Sequence, residues 1–182
     1  PVLMKAGNDG RRRDIVGIAE TGSGKTLAFA LPALTALYNE DRQSGSAGRR
    51  RSRKKPRMLV LAPTRELAVQ SHEVLEEFGR EVGLTSLVVY GGVPKHQQKS
   101  ALYKGVDCVT ATPGRLKDLI DERAVDLGEV SQLVLDEADR MLDEGFEEDV
   151  RYIISKTLAK ETGRRRTAMF SATWPPSVAK LA

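Results

Sequence analysis

The sequence contains one cysteine, two histidines and few aromatic residues, and each scarcity argues against a class of function. A lone cysteine, Cys108, forms no internal disulfide, so the chain suits a reducing compartment, and its apolar strand-like surroundings favour a packed thiol. The histidines have no partners at ligand spacing, which argues against a zinc site. Aromatic residues make up 5% of the chain, which disfavours a base-stacking platform. No apolar run approaches the roughly 20 residues of a membrane helix or resembles a secretory signal.

The chain has 182 residues, 40% of them hydrophobic, which is enough for one well-packed core. We therefore expect a single domain over residues 1–182. The chain begins at Pro1 rather than at methionine, and it ends soon after a helix that we expect to start at Pro175. These two ends predict a fragment of a longer protein.

Positive charge is concentrated in residues 42–57, RQSGSAGRRRSRKKPR. This segment carries eight basic residues and no acidic one, so the remaining chain has 21 bases against 25 acids. Its mixture of serine, glycine and basic residues predicts a flexible insertion within the domain. The segment could bind nucleic-acid phosphates, serve as a localisation signal, or be a surface insertion with no role.

A glycine-rich loop follows the first apolar run. Residues 14–26, DIVGIAETGSGKT, are typical of a short buried strand, a tight turn at 22–24 and the start of a helix. Free amides at a helix N-terminus favour phosphate binding. Lys25 would reach the β- and γ-phosphates of a nucleotide, and the Thr26 hydroxyl would ligate Mg²⁺. Ala19 departs from the usual pattern, which has its first glycine at that position.

Apolar strands alternate with amphipathic helices along the whole chain. The pattern predicts strands at 15–18, 57–62, 84–90, 106–110, 131–135 and 167–170, and helices at 25–38, 65–81, 95–103, 115–122, 146–158 and from 175 onward. Continuous apolar strands separated by helices indicate a parallel sheet covered on both faces. Ligands of such folds bind at the carboxyl ends of the strands, and each distinctive short motif of this chain follows a strand.

An acidic quartet, DEAD, follows the fifth strand. Asp136 at the strand tip can hold the hydration shell of Mg²⁺. Glu137 can accept a proton from a water in line with the γ-phosphate. Asp139 would point toward Ser171 and Thr173, whose hydroxyls could bond its carboxylate. On its own the quartet would suit a solvated acidic turn, but together with the upstream loop it predicts a nucleotide site.

Six motifs, in order and spacing, resemble the first RecA-like domain of DEAD-box RNA helicases. They are AETGSGKT at 19–26, PTRELA at 63–68, GG at 91–92, TPGR at 112–115, DEAD at 136–139 and SAT at 171–173. The resemblance covers nearly the whole chain apart from the basic segment, and Ala19 fits the loop of this family. The stretches VYGGVPK, DEADRMLDEGFEED and SATWPPSVAKLA are most similar to fungal nucleolar members that act in pre-ribosomal RNA processing.

The resemblance implies a RecA-like parallel sheet of the P-loop NTPase class, with ATP and Mg²⁺ as ligands and RNA as partner. The loop residues implied in ATP binding are Ala19, Glu20, Thr21, Gly22, Ser23, Gly24, Lys25 and Thr26. The residues implied in catalysis are Lys25, Asp136, Glu137, Ser171 and Thr173, with the metal held by Thr26 and Asp136, largely through water. The sugar-phosphate backbone of RNA would contact Pro63, Thr64, Arg65, Gly91, Gly92, Thr112 and Arg115, without reading sequence. An intradomain salt bridge is the alternative for Arg65 and Arg115.

By the same resemblance, two parts of such a helicase lie outside this chain. They are an upstream glutamine motif that recognises adenine and a second RecA-like domain that supplies arginine fingers. Because arginine fingers contribute on the order of 10³ to 10⁵ in rate, we expect this chain alone to be nearly inactive. The resemblance alone suggests a nucleolar location and pre-ribosomal partners. An ATP-gated RNA clamp, and an ATPase acting on DNA or protein, are the alternatives.

Overall fold

A computed structural model describes residues 14–18, 24–43, 55–158, 165–173 and 175–179, and its strands form one sheet. The strands are β1 (Ile15–Ile18), β2 (Met58–Leu61), β3 (Ser86–Val89), β4 (Cys108–Ala111), β5 (Gln132–Leu135) and β6 (Arg166–Ser171). Their order across the sheet is β1-β6-β5-β2-β4-β3, and every pairing is parallel. The predicted parallel α/β sheet is therefore confirmed.

Seven helices connect and cover these strands in the described part of the chain. They are α1 (Lys25–Gln43), α2 (Arg65–Glu81), α3 (Lys95–Lys104), α4 (Pro113–Asp121), α5 (Ala138–Asp143), α6 (Glu147–Ser155) and α7 (Pro176–Ala179). Among these helices, none combines the length and the apolar character needed to cross a membrane. The sequence pattern missed α5, whose six residues follow directly on the acidic quartet.

Alternate residues of the central strands face two separate apolar clusters. Met58 and Val60 of β2 pack with residues of α1 and α2, whereas Leu59 and Leu61 pack with residues of α4, α5 and α6. This division follows from the two-residue period of a strand, which sends successive side chains to opposite faces. Helices therefore cover both faces of the sheet, as predicted.

The strand β1 differs from the prediction of a buried strand. It lies at the edge of the sheet, and Val16 and Ile18 are 45% and 64% exposed. Gly17 faces the interior, where an added Cβ would lie 2.7 Å from the ring of Phe170. An apolar run in the sequence does not distinguish a central strand from an edge strand, because strand order depends on residues distant along the chain.

The prediction of a flexible insertion over residues 42–57 is wrong at both ends of this segment. Arg42 and Gln43 belong to the last turn of α1. Arg57 is 2% exposed and pairs with Asp41 and Asp107. Ion pairing thus overrides the local composition at this boundary. Residues 44–54 lie outside the described residues, so the central part of the segment stays a prediction.

Candidate functional site

The carboxyl ends of β1, β6 and β5 lie side by side, because the three strands are parallel neighbours in the sheet with β6 in the middle. The glycine-rich loop, the SAT motif and the DEAD motif follow these three strands in turn. A cleft of ≈ 270 Å³ opens at this edge, and its lining residues are Lys25, Glu137, Asp139, Arg140, Asp143 and Ala172. The topology therefore gathers the two halves of the predicted nucleotide site into one cleft.

The described end of the loop is suited to an anion. Gly24 has a φ of +81°, a left-handed conformation that glycine adopts without strain, and α1 begins at the next residue, Lys25. The first turn of α1 contains no acidic residue, so its amides and the helix dipole favour negative charge. Thr26 is half-buried in that turn. The predicted ATP-binding residues Ala19 to Ser23 lie outside the described residues.

Asp136 lies at the end of β5, where its backbone amide donates to the Leu61 carbonyl at 2.9 Å. It is 5% exposed, and its Oδ1 has no hydrogen-bond partner in the structure. Burial is the main reason that the pKa of Asp136 lies above its ordinary value, and the nearby charge of Lys25 opposes this rise. The two residues therefore act on each other at the same edge of the sheet.

Glu137 has a left-handed backbone, with φ 52° and ψ 54°. Such a conformation costs a non-glycine residue about 1 kcal/mol or more, and it persists where the surroundings fix it. Here the Glu137 carbonyl accepts from Met141 N–H at 3.1 Å, which starts α5. Arg140 Nη1 lies 3.5 Å from Glu137 Oε2 and adds a weak contact at the cleft wall. The strained turn places Glu137 in the lining of the cleft, whereas Asp136, the residue before it, stays buried at the end of β5.

Asp139 links α5 to the segment after β6. Its Oδ2 accepts from the Thr173 amide at 2.9 Å and from the Thr173 hydroxyl at 2.8 Å, while its own amide donates to Ser171 Oγ at 3.2 Å. Burial alone would raise the pKa of Asp139, but the hydrogen bonds from Thr173, with the nearby Ser171 hydroxyl, outweigh burial and lower it. The contact expected between these motifs is thus present, although Ser171 accepts one of the hydrogen bonds.

The residues present are compatible with a hydrated magnesium ion beside Asp136. The free Oδ1 of Asp136 is a buried oxygen acceptor that bound water or a cation would satisfy. No group of three or more His, Cys, Asp or Glu able to hold a metal occurs within the described ranges. An ion at this site would therefore take most of its oxygen ligands from water and phosphate, which is usual for Mg²⁺.

The other half of the same edge carries the residues predicted to contact RNA. Thr64 is the N-cap of α2, and its hydroxyl accepts from Leu67 N–H at 3.3 Å. Arg65 is exposed, with its guanidinium carbon 5.7 Å from the centre of the Tyr90 ring and its Nε 3.4 Å from Glu66. Pro63 is buried. Arg65 therefore has both an intradomain partner and a solvent-facing position.

The remaining residues of this group surround the turn after β3. Gly91 and Gly92 are exposed, and an added Cβ at either would meet no atom within 4 Å. Thr112 is at the N-cap of α4 and makes no capping hydrogen bond with its side chain. Arg115 Nη1 donates to the Val93 carbonyl at 3.1 Å and to Gln98 Oε1 at 3.2 Å. Among the residues that the structure describes, Arg115 thus contacts its own domain by hydrogen bonds rather than by the salt bridge considered as an alternative.

Known proteins match this chain over almost all of its length. A family model described as DEAD/DEAH box helicase matches residues 3–181. The chain belongs to the DEAD/DEAH box helicase family. It is 57% identical over 93% of its length to a protein from Yarrowia lipolytica named ATP-dependent RNA helicase DBP3, and 53% identical over 93% to one from Arabidopsis thaliana named DEAD-box ATP-dependent RNA helicase 5. The chain spans only 29% and 30% of these DEAD-box relatives.

A solved structure supports the same fold for this DEAD-box chain. The crystal structure of a hypothetical ATP-dependent RNA helicase from Sulfolobus tokodaii matches with a TM-score of 0.75 and 35% sequence identity. The match covers 92% of this chain and 44% of the Sulfolobus protein. The family and the RecA-like fold predicted from the six motifs are therefore confirmed.

Three residues near the site were missed by the sequence analysis. Arg140 and Asp143 line the cleft from α5, a helix that the pattern did not predict. Arg140 follows directly on the quartet at helical spacing from Glu137, so extending the helix into the quartet would have revealed it. Gln98 is buried in a helix of polar sequence, and no local signal marks it.

Proposed function

We propose that this chain is the ATP-binding domain of an ATP-dependent RNA helicase that unwinds or remodels RNA. The cleft that joins Lys25 to the DEAD motif supports this function most directly. Family membership supports RNA as the partner, because the matched relatives carry RNA helicase in their names. The activity belongs to the longer protein, since the chain corresponds to less than a third of these relatives.

The chemistry divides between the two halves of the cleft. Lys25 and the first turn of α1 would bind the phosphates of ATP, with Thr26 and Asp136 holding Mg²⁺ largely through water. Bound Mg²⁺ would supply positive charge against the charge of the phosphates. Glu137 would accept the proton of the water that attacks the γ-phosphate.

The hydrogen bonds between Asp139 and Thr173 suggest how nucleotide state would reach the RNA face. They connect α5, beside the cleft, to the segment that follows β6. A change in the position of the DEAD motif on hydrolysis would therefore move Thr173 as well. We infer that Ser171 and Thr173 couple ATP turnover to RNA rather than bind ATP themselves.

Replacing Glu137 with glutamine in the full-length protein tests the enzymatic role. Glutamine has nearly the same shape but cannot accept the proton, so we expect RNA-stimulated ATP hydrolysis and duplex unwinding to fall by about 10² to 10⁴. ATP and RNA binding should persist. Glu148→Gln, at an exposed position of α6, is the matched control. An ATP-gated clamp would instead keep its cellular function in the Glu137→Gln variant.

The choice of nucleic acid is tested by comparing activators of the full-length protein. Single-stranded RNA should stimulate ATP hydrolysis, and DNA of the same sequence should not. Equal stimulation by DNA, or stimulation by neither, would favour an ATPase of another class. The isolated 182-residue chain should hydrolyse ATP negligibly, because arginine fingers from a second RecA-like domain would be absent.

We further propose that the longer protein acts in ribosome biogenesis as a nucleolar rRNA-processing helicase. The support is the resemblance of the motif-flanking sequences to fungal nucleolar members, together with 55% identity to a Cryptococcus neoformans protein named DBP3. Depleting the protein should cause precursor rRNA to accumulate, and a fluorescent fusion should concentrate in the nucleolus. Normal rRNA precursors after depletion would contradict this role.

A further inference from the structure

The turn after β3 is held by two side chains that reach it from α3 and α4. Gln98 of α3 donates from Nε2 to the Tyr90 carbonyl at 3.0 Å. Arg115 of α4 donates to the Val93 carbonyl at 3.1 Å. These two carbonyls flank Gly91 and Gly92, so the glycine turn is fixed on both sides.

Gln98 also joins the two contacts to each other. Its Oε1 accepts from Arg115 at 3.2 Å, so both ends of one amide are used. The orientation of the amide is unambiguous, because a backbone carbonyl only accepts hydrogen bonds and a guanidinium only donates them. Gln98 is 6% exposed, and in such a site an unpaired amide would carry the full cost of desolvation.

The ion pairs between α3 and the C-terminal end of α4 lie on the surface. Lys95 Nζ is 2.7 Å from Glu122 Oε1, and Lys99 pairs with the same carboxylate. All three side chains are more than a third exposed, which makes such pairs weak determinants of geometry. The buried amide of Gln98, together with the hydrogen bond from Arg115 to Val93, therefore fixes Arg115 and the glycine turn relative to each other.

We propose that Gln98 is a positioning residue for RNA binding, which arranges the Gly91-Gly92 turn and Arg115 without touching RNA itself. The inference rests on the proposed RNA helicase function. The strand β3 is at the opposite edge of the sheet from β1, so Gln98 is remote from the nucleotide cleft. Its loss should weaken RNA binding and leave ATP binding unchanged.

Two substitutions in the full-length protein separate positioning from packing. Gln98→Met keeps the length of the side chain but removes both hydrogen bonds, and Gln98→Ala removes the volume as well. Gln97→Ala, at the exposed neighbouring position of the same helix, is the matched control. ATP hydrolysis is measured against the concentration of a single-stranded uridine oligonucleotide at fixed salt, and then against ATP at saturating RNA.

We expect Gln98→Met and Gln98→Ala each to raise the KM for RNA by about fivefold to tenfold, the effect of one hydrogen bond or slightly more. The KM for ATP and kcat at saturating RNA should stay at the wild-type values, as should all parameters of Gln97→Ala. Wild-type behaviour of Gln98→Met would overturn the inference, because packing alone would then suffice. A wild-type protein without RNA-stimulated hydrolysis would overturn the proposed function instead.

Discussion

Replacing Arg57 with methionine removes a buried cation at the start of β2. The guanidinium donates to both carboxylate oxygens of Asp41 in α1, at 2.9 and 3.0 Å, and to Asp107 before β4 at 2.6 Å. Burial by itself lowers the pKa of Arg57, but the hydrogen bonds to Asp107 and Asp41 outweigh burial and raise it. Arg57 therefore joins α1, β2 and the residue before β4, and it lies at the amino ends of the strands, opposite the site.

The expected loss of stability follows from the burial of the three groups. Removing one partner of a buried ion pair costs about 3 to 5 kcal/mol, because the remaining charge is unpaired. The side chains of Asp41 and Asp107 are 16% and 21% exposed, so water can partly hydrate them once Arg57 is gone. We therefore expect a loss near the lower limit, about 3 kcal/mol of the free energy of unfolding.

Urea denaturation of the 182-residue chain, followed by circular dichroism, measures this loss. With a denaturant slope of about 2 kcal/mol/M, the midpoint should fall by about 1.5 M. Arg80→Met is the control, since Arg80 is 74% exposed and lies 3.8 Å from Glu76. Its midpoint should barely change.

A second substitution tests the pairing itself. Asp41→Asn should destabilise the wild type clearly but should have a smaller further effect in the Arg57→Met background, because the pair of Arg57 with Asp41 is already broken there. A midpoint for Arg57→Met within the error of Arg80→Met would refute the reasoning. So would additive effects of the Arg57 and Asp41 substitutions.

Three further predictions concern other described residues. Burial raises the pKa of Cys108 to about 12, so its thiol should react with Ellman's reagent only after unfolding; rapid labelling of the folded chain would contradict this. Burial lowers the pKa of His72, so its imidazole binds a proton more tightly in the unfolded chain than in the folded one. The free energy of unfolding should therefore fall as the pH drops through the ordinary histidine range. Urea midpoints at pH 7.5 and 5.5 should show a smaller fall for His72→Gln than for the wild type. Gly92→Ala should lower the free energy of unfolding by about 1 kcal/mol, because φ at this residue is +85°. Gly91→Ala should preserve the melting temperature and weaken RNA binding. Equal melting temperatures for the two variants would contradict this prediction.

The central strands and the DEAD motif were predictable because the residues next to each other in the sequence are enough to identify them. The strand β2 is a continuous apolar run and β5 is nearly one, and parallel strands place their carboxyl ends at one edge of a sheet. That rule is enough to bring Asp136 to the edge that also carries Lys25. The range of α2, Arg65–Glu81, agrees with the prediction because Thr64 caps the helix and its apolar residues recur at helical spacing.

The features that the sequence did not predict depend on contacts between distant residues. The helix α5 is short, and its start is fixed by the hydrogen bond from the Asp139 amide to Ser171, 32 residues further on. Burial of Arg57 requires Asp107, 50 residues away. Gln98 resembles a surface residue until the Tyr90 carbonyl and Arg115 are brought to it by the fold. The residues that are neighbours in the sequence do not indicate such distant partners.

The position of β1 has a consequence for how the chain folds during synthesis. Within the described residues, β1 pairs with β6 alone, and Ile15 is matched with Ala168 more than 150 residues later. Since β1 leaves the ribosome before β6, it must wait for β6 before it can pair. A nascent chain stalled before Arg166 could already assemble β2, β3, β4 and β5 with α1 packed on β2, yet β1 would have no neighbouring strand. The strand that precedes the glycine-rich loop should accordingly gain its place in the sheet late, in a single step, when β6 inserts.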